Sequence, residues 1–328
     1  MATAGPGRPA YIPDMQTAGV NQLGGPIVLL ELPGPGRPGP GEVLLDVRAG
    51  GVGNWDEFVR TGGWDTGTRP PMALGVEAAG RVAAVGDGVD GIAPGDAVTT
   101  HSLPLRGQGS WAEQHLAAAE HVAPVPPGVS WDAAAVLPVP ALTADQALAG
   151  LDIQPGQAVL VNGAGGVTGG LLVQLAAYRG GRVIATAGPG SAARVRAQGA
   201  ETVLDYHDPD WPGQVRSLTG GGADAAANAA PTAASTAMQA VRDGGRLATI
   251  TGDPPQAGRG IAVTSITVVP DGPRLRVLTE LLGQGAISIT VGGWYPLKQA
   301  DTALTQARRG LHGAAVVIRP AAQDSTGP

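Results

Sequence analysis

Three glycines at three-residue spacing, Gly163, Gly166 and Gly169, mark where this chain is able to do chemistry. An apolar run, Val159-Leu160-Val161-Asn162, enters them, and Val167-Thr168 followed by Leu171-Leu172-Val173 leaves. Where a backbone must pass close to a pyrophosphate, a side chain blocks the approach and glycine is required. The helix expected to follow turns unpaired N–H groups and the positive end of its dipole toward phosphate. In a chain with 53 glycines among 328 residues the bare spacing says little. Its context says more. Arg182-Val183-Ile184-Ala185-Thr186 stands at βαβ distance, and Thr202 to Tyr206 follows another helix-like stretch from Ser191 to Gln198. A dinucleotide site is the reading, with Gly163, Ala164, Gly166, Val167, Thr168 and Gly169 in the loop.

The second strand ends in Thr186-Ala187-Gly188, where NAD binders place an acid for the ribose hydroxyls. Ser191 and Arg194 follow, and an arginine suits a 2′-phosphate. NADPH is therefore expected, although Arg194 also reads as a solvated helix residue. Thr251 and Gly252 come after a further strand, at the sheet edge that binds ligands, or are ordinary loop residues.

Other chemistries are excluded by composition. There is no cysteine, so disulfides, thiolate zinc ligands and thiol nucleophiles are all absent. The five histidines, His101, His115, His121, His207 and His312, show no metal-ligand spacing. The net charge of −6 comes without a basic stripe, which argues against nucleic acid. No apolar run approaches the roughly 18 residues of a membrane span, and no secretory signal is visible. The expectation is a cytoplasmic protein with a small-molecule substrate.

The elements that must position these residues fall into two domains, since the length allows about 150 residues for each. Residues 1–14 read as a loose leader. Short strands then alternate with Gly/Pro turns: Ile27–Leu32, Glu42–Arg48, Gly80–Gly86 and Asp96–Thr99. This pattern predicts a barrel-like β domain. A boundary is expected near Pro138-Val139-Pro140, then a helix over Ala141–Leu151 and the βαβ series. Gly245–Ile250 and Ile261–Val268 extend the sheet, a helix covers Pro273–Leu282, and Ala314–Ile318 returns to the barrel. The division is 15–139 plus 271–328 for the barrel and 140–270 for an α/β, doubly wound parallel sheet.

With Pro38-Gly39-Pro40-Gly41-Glu42-Val43-Leu44, Leu74-Gly75-Val76-Glu77-Ala78-Ala79-Gly80, Gly109-Ser110-Trp111-Ala112-Glu113, Ala141-Leu142-Thr143-Ala144 and Gly199 to Tyr206, the chain resembles the medium-chain dehydrogenase/reductase superfamily. It is most similar to the zinc-independent quinone oxidoreductase branch, from Met15 to Pro320. The resemblance implies a GroES-like β domain and a Rossmann domain with NADPH in the cleft between them. The zinc-ligand positions of alcohol dehydrogenases match Gly53 and Val76, so no metal is expected.

The resemblance further implies Thr143 near the nicotinamide, Tyr206 near the adenosine phosphate, and Asn54 facing the cleft. Asn54 would touch cofactor or donate to a developing oxyanion, unless it only caps a turn. Two family tyrosines are replaced, by Phe58 and near Trp64, which disfavours a phenolic proton donor. Trp55, Phe58 and Trp64 are candidates for an apolar substrate floor, or for core. The implied activity is reduction of quinones or conjugated enones by hydride transfer. Alternatives are a tailoring enoyl reductase or isomerase of a secondary-metabolite intermediate, and an NADPH-binding regulator or structural protein without turnover. A homodimer joined at Ile261–Val268 is expected, because a bare apolar edge strand invites association.

Overall fold

The computed structural model describes residues 13–103 and 108–320. The leader expected over 1–14 lies outside the described residues up to residue 12, and the first strand already takes Asp14. The last eight residues of the expected barrel segment, 321–328, also lie outside them.

The chain opens with strands β1 (Asp14–Val20), β2 (Val28–Pro33) and β3 (Glu42–Val52), then helix α1 (Trp55–Thr61). Strands β4 (Met72–Ala73), β5 (Glu77–Val85), β6 (Ala97–His101), β7 (Gln114–Ala118) and β8 (Val122–Pro124) follow, and a short helix α2 (Trp131–Ala135). One sheet has the order β2-β1-β4. Buried residues in β3 extend almost without break from Val43 to Val52, because helix α2 and the later helix over Ala300–Arg309 pack on it in addition to its strand neighbours.

Helix α3 (Pro138–Leu151) leads into the second domain. Its prolines fall in the first turn, where a missing N–H is harmless. The expected boundary at Pro138–Pro140 is thus a helix start. There follow β9 (Ala158–Asn162), α4 (Val167–Tyr178), β10 (Arg182–Thr186), α5 (Pro189–Ala197), β11 (Thr202–Leu204) and α6 (Trp211–Thr219). Then come β12 (Ala223–Asn228), α7 (Ala234–Gln239), β13 (Val241–Thr249) and β14 (Ala262–Ser265). All neighbours in this sheet are parallel, in the order β11-β10-β9-β12-β13-β14. Counted from β9, that is the 3-2-1-4-5-6 order of a Rossmann domain.

The chain then passes through α8 (Gly272–Gly283) to β15 (Thr290–Pro296), α9 (Ala300–Arg309) and β16 (Ala314–Arg319). Strand β16 pairs with β3 and completes the sheet β15-β16-β3-β5-β6-β8. A buried carboxylate ties the second domain to α8: Asp145 on α3 accepts from Arg179 at 2.5 Å and from Arg274 at 2.5 Å. Two expectations shrink. The strand placed over Ile261–Val268 keeps only Ala262–Ser265, and that over Thr202–Tyr206 stops at Leu204. Both are sheet edges with a pairing partner on one side only, where tertiary pairing sets the length. No helix among the described residues is long and apolar enough to cross a membrane.

Candidate functional site

The glycine loop joins β9 to α4. Gly163 has φ +83°, and a Cβ there would lie 2.8 Å from the Ala230 nitrogen. A Cβ on Gly169 would lie 2.1 Å from the Gly163 carbonyl oxygen, so this glycine lets helix and loop pack together. Gly166 differs. A Cβ there meets nothing nearer than 3.8 Å and would fill the space in front of α4. Gly166 is also the N-cap of α4, and no side chain caps the helix. An open cradle before an uncapped helix of twelve residues fits a pyrophosphate. Val167 and Thr168 form the first turn, and Ala164 is buried beneath it.

A ladder of polar side chains at the carboxyl ends of the strands sets that loop. Thr186 Oγ1 accepts from the Gly163 N–H at 3.0 Å and donates to Asn162 Oδ1 at 2.6 Å. Asn162 Nδ2 donates to Asn228 Oδ1 at 2.8 Å. Asn228 Nδ2 in turn reaches Thr249 Oγ1 at 3.1 Å and Thr251 Oγ1 at 3.0 Å. Thr251 hydrogen-bonds Asp253, and Gly252 between them is exposed with φ +72°. Sequence reasoning singled out Thr251 and missed Asn162, Asn228 and Asp253. The signal was present: apolar strands that each end in Asn or Thr.

Tyr206, expected at the adenosine end, stands beside Gly188, with Cε1 3.3 Å from where a Cβ would be. It is half exposed and lies against the His207 ring at 4.1 Å. His312 approaches Gly190, its Nδ1 3.6 Å from a Cβ position. Ser191 is buried in the first turn of α5. Arg194 is turned inward: its guanidinium donates to the Gly165 carbonyl at 2.7 Å and to Gln198 at 3.0 Å. It reaches the loop through a backbone carbonyl of the loop itself.

The residues expected to face the cleft lie on or beside α1, β3, β5, β6 and the start of α3. Asn54 is the exposed N-cap of α1 and makes no side-chain capping bond. The Trp55 ring lies over Gly53, where a Cβ would come 2.2 Å from the indole. The indole therefore occupies the direction in which a residue-53 side chain would point. Asp56, fully buried, accepts from the Gly53 N–H at 2.9 Å, and burial raises its carboxyl from 3.8 to about 8. Glu77 accepts from the Val139 N–H at 2.8 Å. Burial, with Asp56 nearby as a lesser cause, holds its carboxyl well above the usual range. Only glycine at 51 leaves room for it, since a Cβ there would be 2.2 Å from Glu77 Oε1. Thr143 lies one turn along α3 and donates to the Val139 carbonyl at 2.6 Å.

His101 is buried and faces the Val76 carbonyl with Nδ1 at 3.0 Å. Desolvation lowers it to about 4, so the ring is neutral. Trp64 lies 6.4 Å from it, centroid to centroid. Trp55 and Trp64 pack on one cluster with Val52, Val76 and Val139, whereas Phe58 is 57% exposed on the outer side of α1. The three aromatics thus divide into an inner pair and an outer ring. Among the described residues no group of three or more His, Cys, Asp or Glu is arranged to hold a metal ion. Gly53 and Val76 offer no ligand atom.

Residues 39–127 match the family of the alcohol dehydrogenase GroES-like domain, and residues 167–269 that of the zinc-binding dehydrogenase. Alcohol dehydrogenase 1 of Emericella nidulans is 32% identical over 60% of this chain, and the chain spans 63% of that relative, under two thirds of its length. Erythronolide synthase of Saccharopolyspora erythraea is 36% identical over 88% of this chain but only 8% of its own length. A solved mycobacterial quinone oxidoreductase is 31% identical with TM-score 0.79, and a mycobacterial protein complexed with NADPH is 30% identical with TM-score 0.81. Each structure aligns with 93% of this chain and is itself covered completely.

Proposed function

The chain belongs to the medium-chain dehydrogenase/reductase superfamily and is quinone oxidoreductase-like, and from that premise we propose that it is a zinc-independent, NADPH-dependent reductase of quinones or conjugated enones. One observation carries the reading. The uncapped, glycine-lined start of α4 belongs to the same fold as a cleft whose zinc-ligand positions are Gly53 and Val76. Such a cleft needs an acceptor that takes a hydride without Lewis-acid help, as a conjugated carbonyl does.

When bound, the nicotinamide supplies the hydride; the chain supplies binding and orientation. The α4 N-terminus and Gly166 take the pyrophosphate, Tyr206 the adenosine end, and Thr143, Thr251 and Gly252 the nicotinamide end. NADPH is favoured because no acid follows β10, while Ser191, His207 and His312 gather around the start of α5. Arg194 is assigned to the cofactor site through Gly165, whose carbonyl it holds. Asn54, exposed at the head of α1, is the residue we assign to the substrate or nicotinamide ribose.

The test is consumption of NADPH by the purified protein against a broad panel of quinones and enones. No turnover with any of them overturns the reductase reading. If NADPH still binds tightly, an NADPH-gated regulator or structural protein takes its place. The similarity to part of a polyketide synthase supports a second reading, a tailoring enoyl reductase or isomerase. It requires faster turnover of enones than of quinones. We also propose a homodimer through the exposed edge strand β14. Light scattering that gives 32.6 kDa at all concentrations overturns it.

A further inference from the structure

Among the described residues six buried side-chain atoms have no hydrogen-bond partner, all in the barrel domain: one on Gln108, both ring nitrogens of His115, and the three of interest, Trp55 Nε1, Asp56 Oδ1 and His101 Nε2. These last three belong to one neighbourhood. Trp55 and Asp56 are adjacent on α1, and both bracket Gly53, the one by its ring and the other through the Gly53 N–H. Asp56 is close enough to Glu77 to raise its carboxyl further. Glu77 and His101 are direct partners in the β5–β6 ladder, so their side chains stand on the same face. Trp55 packs with Trp64, and Trp64 lies against His101.

A buried polar atom without a partner is costly, and folded proteins leave few of them. This chain does satisfy such atoms elsewhere, as in the Asn162–Asn228 ladder. The chemistry of the three atoms is fixed by what surrounds them. The Val76 carbonyl can only accept, so His101 Nδ1 carries the proton and Nε2 offers a lone pair. The indole Nε1–H can only donate. Burial keeps the Asp56 carboxyl protonated at neutral pH, and it therefore donates as well. This neighbourhood thus holds two donors and one acceptor around the inner aromatic pair.

On the premise of the reductase reading above, we propose that the substrate is a conjugated carbonyl that also bears a hydroxyl group. Its carbonyl oxygen is held by Trp55 and Asp56, and its hydroxyl donates to His101 Nε2. A site built to bond a substrate hydroxyl rejects the analogue that lacks it, because its own buried atom is then left unpaired. A plain apolar pocket makes no such distinction. The inner tryptophans supply the flat apolar contact, and the three polar atoms supply the selection.

The experiment compares 4-hydroxy-2-cyclohexenone with 2-cyclohexenone, two neutral probes that differ by one hydroxyl. Affinity is read from tryptophan emission and kcat/KM from NADPH consumption. The parent protein is expected to favour the hydroxylated probe on the order of 10- to 100-fold in both readouts. His101→Phe, which keeps a ring and removes the acceptor, is expected to abolish the preference. His101→Gln, which restores an acceptor, is expected to recover part of it. Equal affinity for the two probes in the parent, or a preference that survives in His101→Phe, overturns the proposal. If neither probe is reduced but the affinity preference is present and depends on residue 101, the reductase reading falls and the site stands. Should the His101 variants fail to fold by circular dichroism, Trp55→Phe decides. Loss of one donor is expected to weaken both probes, and unchanged affinity for both overturns the proposal.

Discussion

Thr186, Asn162, Asn228 and Thr249 lie buried at the carboxyl ends of the Rossmann strands, and each is hydrogen-bonded to the next. Asp56 and His101 lie equally buried in the barrel domain, and each leaves one side-chain atom unpaired. Both groups pay desolvation. The difference lies in what returns it. In the Rossmann domain the partners are internal, so the glycine loop is set by the chain's own bonds. In the barrel domain these atoms have no partner among the described residues, and each such atom calls for an explanation. The Rossmann domain is therefore preorganised by its own bonds, whereas on the reading proposed above the barrel domain is completed by its substrate.

The largest expected effect breaks the first half of that contrast. Gly169→Ala puts a methyl 2.1 Å from the Gly163 carbonyl oxygen, so helix and loop must separate. Displacement on the order of 1 Å in such a site costs about 100-fold in rate, so kcat/KM with NADPH should fall by about that factor and NADPH titration should show weaker binding. Unchanged affinity means that the loop is not held as described. Arg194→Ala removes the bond to Gly165 and should weaken NADPH and NADH alike, by about 1.5–3 kcal/mol. A loss confined to NADPH, in parallel titrations, assigns Arg194 to the 2′-phosphate directly.

A stability comparison sharpens the contrast further. Asn228→Ala orphans members of the ladder and should cost about 1–3 kcal/mol in denaturant unfolding. Trp55→Phe deletes a donor that had no partner, so its cost should lie within about 1 kcal/mol. Equal losses in the two variants remove the distinction.

A smaller effect concerns pH. The Asp56 carboxyl is raised from 3.8 to about 8 by burial, so the folded state holds this proton more tightly than the unfolded chain. Its contribution is full below 3.8 and is lost as pH rises through about 8. His101 is lowered from 6.5 to about 4, and its contribution is lost as pH falls through that window. Asp56→Asn should therefore flatten the fall of Tm between about pH 4 and 8. Part of the slope remains, because Glu77 is raised as well. A slope identical to the parent's shows that Asp56 is ionised in the fold. The smallest expectation is no change at all: a strong chelator should leave Tm and turnover as they were, and loss of either restores a metal to the reading.

Much of the fold was legible because it is written in local patterns. The runs Ala158–Asn162 and Arg182–Thr186 are strands within a residue of where apolar, β-branched character places them. Strand β12, Ala223–Asn228, was not, since its alanines carry helix propensity and only the central place between β9 and β13 makes them a strand. Of the candidate site, the glycine loop and Thr251 were legible. The inward turn of Arg194, the outward turn of Phe58 and the gathering of Asp56, Glu77 and His101 were not. Each depends on contacts far apart in the chain.

By itself, then, the sequence determined the parts whose reason is local. It supplied glycines where a backbone must turn or come close, denied a ligand atom at Gly53 and Val76, and left no acid after Thr186. The tertiary structure decided which polar groups find partners. Hydrogen bonding is a matter of ångströms between strands that are distant in sequence, and periodicity carries no information about it. Asn162 meets Asn228 because β9 lies beside β12. His101 is left with a free nitrogen because β6 sets it opposite Glu77, whose carboxyl group is already turned to the Val139 N–H.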